Sequence, residues 1–267
     1  MQTETTNILA DIISSKKKEL ELRKKEMPLE SFTRSIKKST RKFRHAITKK
    51  DSGNFPKLIA ELKFASPSSG KIRKATSSEV LRITKLYSRY AGAISVLTDK
   101  KYFRGDPEYL KIAGKNTNLP ILRKDFIIDK YQIYESRHYG ADAILLIASV
   151  LGEKNLKDFT KTAKELGMDY LVEVHDKKDL DIALNADAEI IGINNRNLKT
   201  MTTDLDTTIE LSKHIPKNTT IVSESAIKTK KDIEYLEQAG IDAILVGTAI
   251  MKSDIEQKLK ELTGAHR

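Results

Sequence analysis

Cysteine is absent from the 267 residues, which removes disulfide staples, thiolate metal sites and a cysteine nucleophile from consideration. A reducing cytoplasm fits that composition. Long hydrophobic runs are missing as well. The longest, Ala143 to Leu151, is interrupted by Ser149 and falls far short of the ~20 apolar residues that span a bilayer, so no membrane segment is expected. The opening MQTETTNILADIISSKKKEL places acidic residues where a secretory signal would need a basic stretch and then an apolar run. Few aromatics are interleaved among the lysine clusters of the first 50 residues, Lys16-Lys17-Lys18, Lys24-Lys25, Lys37-Lys38 and Lys49-Lys50, whereas a nucleic-acid surface would stack bases on rings. The net charge of +11 therefore reads as a solvated lysine-rich surface rather than a nucleic-acid or membrane partner site, and it would also draw an anionic metabolite inward. Nucleotide-binding glycine patterns are missing too. No Gly-x-Gly-x-x-Gly follows the first strand-like run and no Gly-x-x-x-x-Gly-Lys-Ser/Thr occurs, which weakens dinucleotide and nucleoside triphosphate readings.

What is present is apolar material for a sizeable core, 39% hydrophobic residues beside 32% charged ones, on a length close to the ~250 residues of one (β/α)8 barrel. From residue 57 onward, short β-branched runs alternate with segments of helical period, the pattern of repeated βα units. The strands are expected at Leu58–Leu62, Ala93–Leu97, Pro120–Leu122, Ala143–Ile147, Tyr170–Val174, Ile190–Ile193, Thr220–Ser223 and Ala243–Val246. Runs such as ISVL, AILLI and AILV are apolar on both faces, as parallel strands covered by helices are. Tyr90-Ala91-Gly92-Ala93, Tyr139-Gly140-Ala141-Asp142-Ala143 and Ala239-Gly240-Ile241-Asp242-Ala243 share a helix-ending glycine before a strand, where a left-handed residue commonly closes the helix. The fold class is thus α/β, a single (β/α)8 TIM barrel over residues 57–267, closed rather than an open doubly wound sheet. Residues 1–56 are expected to add one or two helices against the barrel bottom or edge, within one domain of 1–267. The chain ends soon after the eighth unit, so no fused second enzyme is expected.

Barrel active sites lie at the C-terminal ends of the strands, and here those ends are unusually polar. Strand one closes on Glu61 and Lys63, which the period of two puts on one face. Strand three closes on Arg123-Lys124-Asp125, strand five carries Glu173 between Val172 and Val174, strand six leads into Asn194-Asn195-Arg196, and strand seven into Glu224. Any one of these alone is as readily a solvated or ion-paired residue; together around one mouth they suit acid-base chemistry without a metal. Glu173 is the sharpest, since its apolar neighbours demand a partner or a raised pKa. His175 alternates away from it, so a ligand role is disfavoured and an outward or helix-packed position is expected. His45, His138, His214 and His266 stand on expected helices or tails and form no Ser-His-Asp pattern. Gly247-Thr248 after strand eight and Ser225-Ala226 after strand seven occupy the places where barrels build phosphate sites, although Gly247 could merely turn the chain. Ala65-Ser66-Pro67-Ser68-Ser69-Gly70 is long enough for a lid.

The segments LIAELKFASPSSGKIR, ISVLTDKKYFRGDPEYL, LPILRKDFIIDKYQIYESRHYGADAILLIASVL, YLVEVHD, IGINNRNL, IVSESAI and ILVGTAIM closely resemble, in order, those of indole-3-glycerol phosphate synthases of tryptophan biosynthesis. The resemblance implies a cofactor-free ring closure of 1-(2-carboxyphenylamino)-1-deoxyribulose 5-phosphate with loss of carbon dioxide and water. It implies Lys124 as general acid, Glu173 as base for dehydration, Glu61 as the residue tuning Lys124, and Lys63 as an anion anchor and second proton donor. Asn194 and Glu224 would hold substrate hydroxyls and the lysines, Phe126 would pack on the anthranilate ring, and Ser66, Arg196, Ser225, Ala226, Gly247 and Thr248 would meet phosphate. Two residues depart from the family pattern: Ala226 stands where glycine usually follows Ser-Glu-Ser, and Phe64 where a basic residue is common. An alanine there would strain the turn if its φ is positive. The expected protein is a cytoplasmic monomer acting on a small phosphorylated molecule. Two rivals are another phosphate-binding barrel enzyme, such as a sugar-phosphate or phosphoribosylanthranilate isomerase, and a basic RNA-binding protein on an idle barrel.

Overall fold

The computed structural model describes residues 8–49, 55–197 and 200–265; His266 lies outside them. Eight strands, β1 (Lys57–Leu62), β2 (Ala93–Leu97), β3 (Ile121–Lys124), β4 (Ala143–Ile147), β5 (Asp169–Val174), β6 (Ile190–Asn194), β7 (Thr220–Glu224) and β8 (Ala243–Val246), form a closed barrel with a helix or helices after each. Every strand pairs in parallel with the next, and β8 returns to β1 in the register Lys57↔Ala243. The expected barrel is therefore present, with the starts of β1, β3 and β5 displaced by one residue and the C-terminal ends of β3, β6 and β7 extended. Lys124, Asn194 and Glu224 are the last residues of β3, β6 and β7 rather than residues beyond them, because each still pairs with a neighbour, Leu97↔Lys124 and Asn194↔Glu224.

The period of two sorts the side chains. Ile59, Ala93, Leu122, Ala143, Leu145, Leu171, Ile190, Val222, Ala243 and Leu245 fill the barrel interior, while Leu58, Ala60, Ile94, Ile144, Val172, Ile191, Ile221 and Ile244 pack under the helices. Continuing the interior rows upward brings Glu61, Lys124, Glu173, Asn194 and Glu224 to the mouth. The same alternation sends Arg123 and Asp125 to the other face, away from Lys124.

The helix-to-strand turns divide into two kinds. Gly140 and Gly240 are left-handed, at φ +95° and +63°, as helix-ending glycines are. Gly92 is not; a Cβ there would press on the Ala46 carbonyl oxygen at 2.9 Å, so space rather than backbone freedom demands glycine. The aspartates of the repeated turn share one task. Asp142 accepts the Ile121 N–H and Asp242 the Ile221 N–H, satisfying an amide in the first two residues of the neighbouring strand, which would otherwise be buried unpaired.

The N-terminal extension corrects the expectation of one or two helices at the bottom or edge. It contains three helices, α1 (Ile8–Glu26), α2 (Leu29–Thr33) and α3 (Phe43–Ile47), and they cover both ends of the barrel. Phe43 and Ile47 of α3 are fully buried against Ile59 and Leu122, plugging the bottom, and the Arg44 N–H donates to Asp169 Oδ2 at the start of β5. In contrast, Ile8, Leu9 and Ile12 of α1 line the cavity at the mouth. The buried Lys16 fastens α1 there, 3.0 Å from Asp99 Oδ2 and 3.1 Å from Asp125 Oδ1. Composition alone hid this, because Lys16 sits in a lysine run that reads as solvated surface.

Candidate active site

The barrel mouth opens into a cavity of about 620 Å³, within the range of small-molecule sites. At its floor Lys124 Nζ lies 2.8 Å from Glu173 Oε2 and 2.9 Å from Glu224 Oε2. Beside that trio Lys63 Nζ lies 2.7 Å from Glu61 Oε1. The carboxylate partners of Lys124 are thus Glu173 and Glu224, while Glu61 is paired with Lys63 and acts on Lys124 only through its field.

Burial by itself would discharge Lys124, but the negative charges of Glu173, Glu224 and Glu61 outweigh it and hold the ammonium above the ordinary lysine value. Burial would likewise protonate Glu173; Lys124 and then His175 reverse this and hold its carboxyl below the usual range. For Glu224 burial wins. Despite Lys124, and with Glu173 adding repulsion, its carboxyl is pushed up to about 7. One ammonium serves two buried carboxylates, and the second is left the weaker acid.

Two glycines make room for these carboxylates. A Cβ on Gly192 would collide with Glu224 Oε1, and one on Gly247 with Glu61 Oε1. Gly247 has φ −118°, so it is no left-handed turn; its bare Cα is what admits Glu61. Gly192 escaped the sequence reading, although a glycine inside a strand signals close approach of another group.

Asn194 is held on both sides: its Nδ2 donates to Glu173 Oε1 at 3.1 Å, and its Oδ1 accepts the Arg196 N–H at 3.1 Å. The Arg196 guanidinium donates to the Met201 carbonyl, which keeps this residue at the cavity rim. Phe126 lines the cavity with Phe103, ring centroids 6.1 Å apart. Phe103 was also missed; its segment, KKYF, reads as an ordinary charged loop.

Ser66, Ser225, Ala226, Gly247 and Thr248 gather along one side of the cavity. Ser225 and Ala226 are both left-handed, at φ +66° each, so the strained alternative anticipated for Ala226 is the one adopted. Successive amides in such a turn form a concave anion cradle. The lid segment is a small hairpin, Ala65–Ser66 against Gly70–Lys71. Its base rests on Phe64, which is buried in the core against Tyr109 and whose carbonyl accepts the Ile72 N–H. A basic residue at position 64 would have no such seat.

His175 departs from the alternation argument, because β5 ends at Val174 and strand geometry stops there. It packs against the start of helix Lys177–Asn185 as expected, yet its ring also turns back to Glu173, Nε2 to Oε1 3.3 Å. Among the described residues no group of three or more histidine, aspartate or glutamate side chains is placed to hold a metal ion, and no helix is long and apolar enough to cross a membrane.

Residues 9–262 match the family profile described as indole-3-glycerol phosphate synthase. The chain is 49% identical over 254 residues to the indole-3-glycerol phosphate synthase of Thermoanaerobacter sp. (strain X514), covering 92% of each chain. It is 46% identical to that of Alkaliphilus metalliredigens (strain QYMF), covering 96% of this chain and 97% of the relative. In structure it is similar to 3-hexulose-6-phosphate synthase from Salmonella typhimurium, with a TM-score of 0.64 over 78% of this chain and 97% of that one at 16% identity, a likeness of fold alone. The chain belongs to the indole-3-glycerol phosphate synthase family, the carboxy-lyases of tryptophan biosynthesis that close 1-(2-carboxyphenylamino)-1-deoxyribulose 5-phosphate to indole-3-glycerol phosphate.

Proposed function

We propose that Lys124 is the general acid and Glu173 the general base of this ring closure. The observation that carries the reading is the 2.8 Å contact between them at the floor of the cavity, with the ammonium held charged and the carboxylate held ionised. Lys124 gives its proton to the ketone oxygen as the carboxylate-bearing aromatic carbon bonds to the ketone carbon. Carbon dioxide leaves and aromaticity returns. The new hydroxyl then departs as water on a second proton, from Lys63, while Glu173 takes a proton from the ring being formed. One proton is consumed overall, as loss of carbon dioxide from a carboxylate requires. Preorganised charge around the developing alkoxide is the larger catalytic term.

Glu61 orients Lys63, Glu224 and Asn194 hold Lys124 and Glu173, and Phe126 with Phe103 covers the anthranilate ring. Ser66, Arg196, Ser225, Ala226, Gly247 and Thr248 receive the phosphate through side chains and backbone amides. The extension and barrel act as one unit, since α1 supplies part of the cavity wall. The enzyme works as a cytoplasmic monomer with no nucleic-acid or membrane partner, its +11 charge steering an anionic substrate.

The test is turnover of the carboxyphenylamino-deoxyribulose phosphate followed by indole fluorescence, which no tryptophan in this chain obscures. Lys124→Ala and Glu173→Gln should each lose at least ~100-fold in kcat. Full activity in Lys124→Ala would remove it as the acid.

A further inference from the structure

Glu173 has two oxygens in different company. Oε2 accepts from Lys124 Nζ at 2.8 Å. Oε1 accepts from Asn194 Nδ2 at 3.1 Å and lies 3.3 Å from His175 Nε2. The other ring nitrogen of His175, Nδ1, lies 3.2 Å from Asp179 Oδ2, which also accepts the His175 backbone N–H. The chain is built to hold this posture. Asp176 caps helix Lys177–Asn185 through the Asp179 N–H, and Asp179, one turn in, reaches back to His175. An imidazole between two carboxylates donates from both nitrogens when protonated. Burial opposes that charge, but Asp179 and Glu173 outweigh it and raise His175 to about 10.

We propose that His175, fixed by Asp179, is a positioning residue that claims Glu173 Oε1, so that Oε2 alone is the basic oxygen exposed when Lys124 turns to the substrate. The inference rests on Glu173 being the base. Beyond holding the carboxylate's rotation, the imidazolium sustains its acidity once Lys124 has given up its proton. At that moment Lys124 no longer counters the burial of Glu173, and His175 is the remaining cation in contact with it. The charged groups facing this cluster are Lys124 from β3, Glu173 from β5, Asp179 from the following helix and Glu224 from β7; Asn194 from β6 is neutral.

The experiment compares wild type, His175→Ala, His175→Asn, Asp179→Asn and Glu173→Gln in kcat, KM and the pH profile of kcat, with melting curves to confirm folding. His175→Ala should lower kcat ~10- to 100-fold, as small misplacement of a reacting group does, with KM nearly unchanged. Its acidic limb should move up by about one pH unit as Glu173 loses a neighbouring cation. His175→Asn, which can donate without charge, should recover part of the rate but leave the limb displaced. Asp179→Asn should move the limb in the same direction and keeps the test decisive if His175→Ala does not fold. An inactive Glu173→Gln beside histidine variants with wild-type kcat and limb would overturn this inference alone. A fully active Glu173→Gln would instead overturn the base assignment beneath it.

Discussion

Lys124 Nζ stands between Glu173 Oε2 and Glu224 Oε2, at 2.8 and 2.9 Å, and the two carboxylates share it unequally. Glu224 Oε1 is buried with no hydrogen-bond partner, and its carboxyl is pushed up to about 7 by burial. A carboxyl raised in the folded state contributes its stability fully below its unfolded pKa of ~4.3, and that contribution is lost as pH rises through the folded value. Glu224→Gln should therefore melt close to wild type near about pH 4, where the folded carboxyl is neutral and the unfolded one largely so, and above it near about pH 8 by on the order of 1–3 kcal/mol. Melting curves across this window decide the matter. A constant gap at every pH would show that Glu224 does not titrate there.

Gly192 is the empty space that lets Glu224 reach Lys124. In Gly192→Ala the added Cβ would collide with Glu224 Oε1 and come within 3.2 Å of the Leu171 side chain, and overpacking of this kind costs roughly 1–3 kcal/mol. Displacing Glu224 also frees Lys124 from one of its partners, so kcat should fall by about 10- to 100-fold. Combining the change with Glu224→Ala should erase most of the added stability cost, since touching residues are not additive. Additive effects in that double variant would place the origin of the clash elsewhere.

Much of this was legible in the sequence, and the reasons differ by residue. Glu61, Glu173 and Glu224 announced themselves because a charge interrupting an apolar parallel strand is conspicuous. Lys63 and Glu61 fell together because a strand alternates with period two. At His175, one residue past β5, the helix-side position was foreseen and the contact with Glu173 was not. Partners also lay hidden where they come from distant sequence. The assignment of Lys124 to Glu173 and Glu224 depends on the barrel's closure, and α1 reached the mouth rather than the bottom through a lysine whose companions, Asp99 and Asp125, lie over 80 residues away. Gly192 and Gly247 were hard to weigh, since an absent side chain shows its purpose only against the atoms that take its place.

Ala226 holds φ +66° directly after Ser225 at the same value. A left-handed conformation costs an ordinary L-residue roughly 1–2 kcal/mol that glycine avoids. Ala226→Gly should raise stability by about 1 kcal/mol and leave kcat unchanged, and if the turn cradles phosphate it should lower KM by up to ~3-fold by letting the amides relax toward the anion. Melting and saturation kinetics on the same preparation read both effects. A less stable Ala226→Gly would mean that the alanine methyl makes a packing contact worth more than the strain.

Lys16 joins the helical extension to the chemistry, because the Asp125 it holds is adjacent in sequence to Lys124 and also pairs with Arg123 at 3.0 Å. Burial disfavours the Lys16 charge, yet Asp125, Asp99 and Glu19 together raise it above the ordinary lysine value, and Asp125 is correspondingly held low against its own burial. Replacing Lys16 by methionine keeps the length of the side chain but takes the shared cation from the buried carboxylates of Asp99 and Asp125 and leaves Asp125 with Arg123 alone as its ion-pair partner among the described residues, a loss of about 3 kcal/mol, at the low end for a broken buried pair. The cost should also appear in binding. Ile8, Leu9 and Ile12 line the cavity on the helix that Lys16 fastens, so Lys16→Met should raise KM more than it lowers kcat and should expose α1 to limited proteolysis before the barrel unfolds. Because Asp125 is held well below the usual carboxylate range despite its burial, the stability defect should shrink as pH falls far enough to protonate it in the variant. A variant that melts with wild type and resists cleavage in α1 would show that the extension is held on the mouth by its apolar contacts alone.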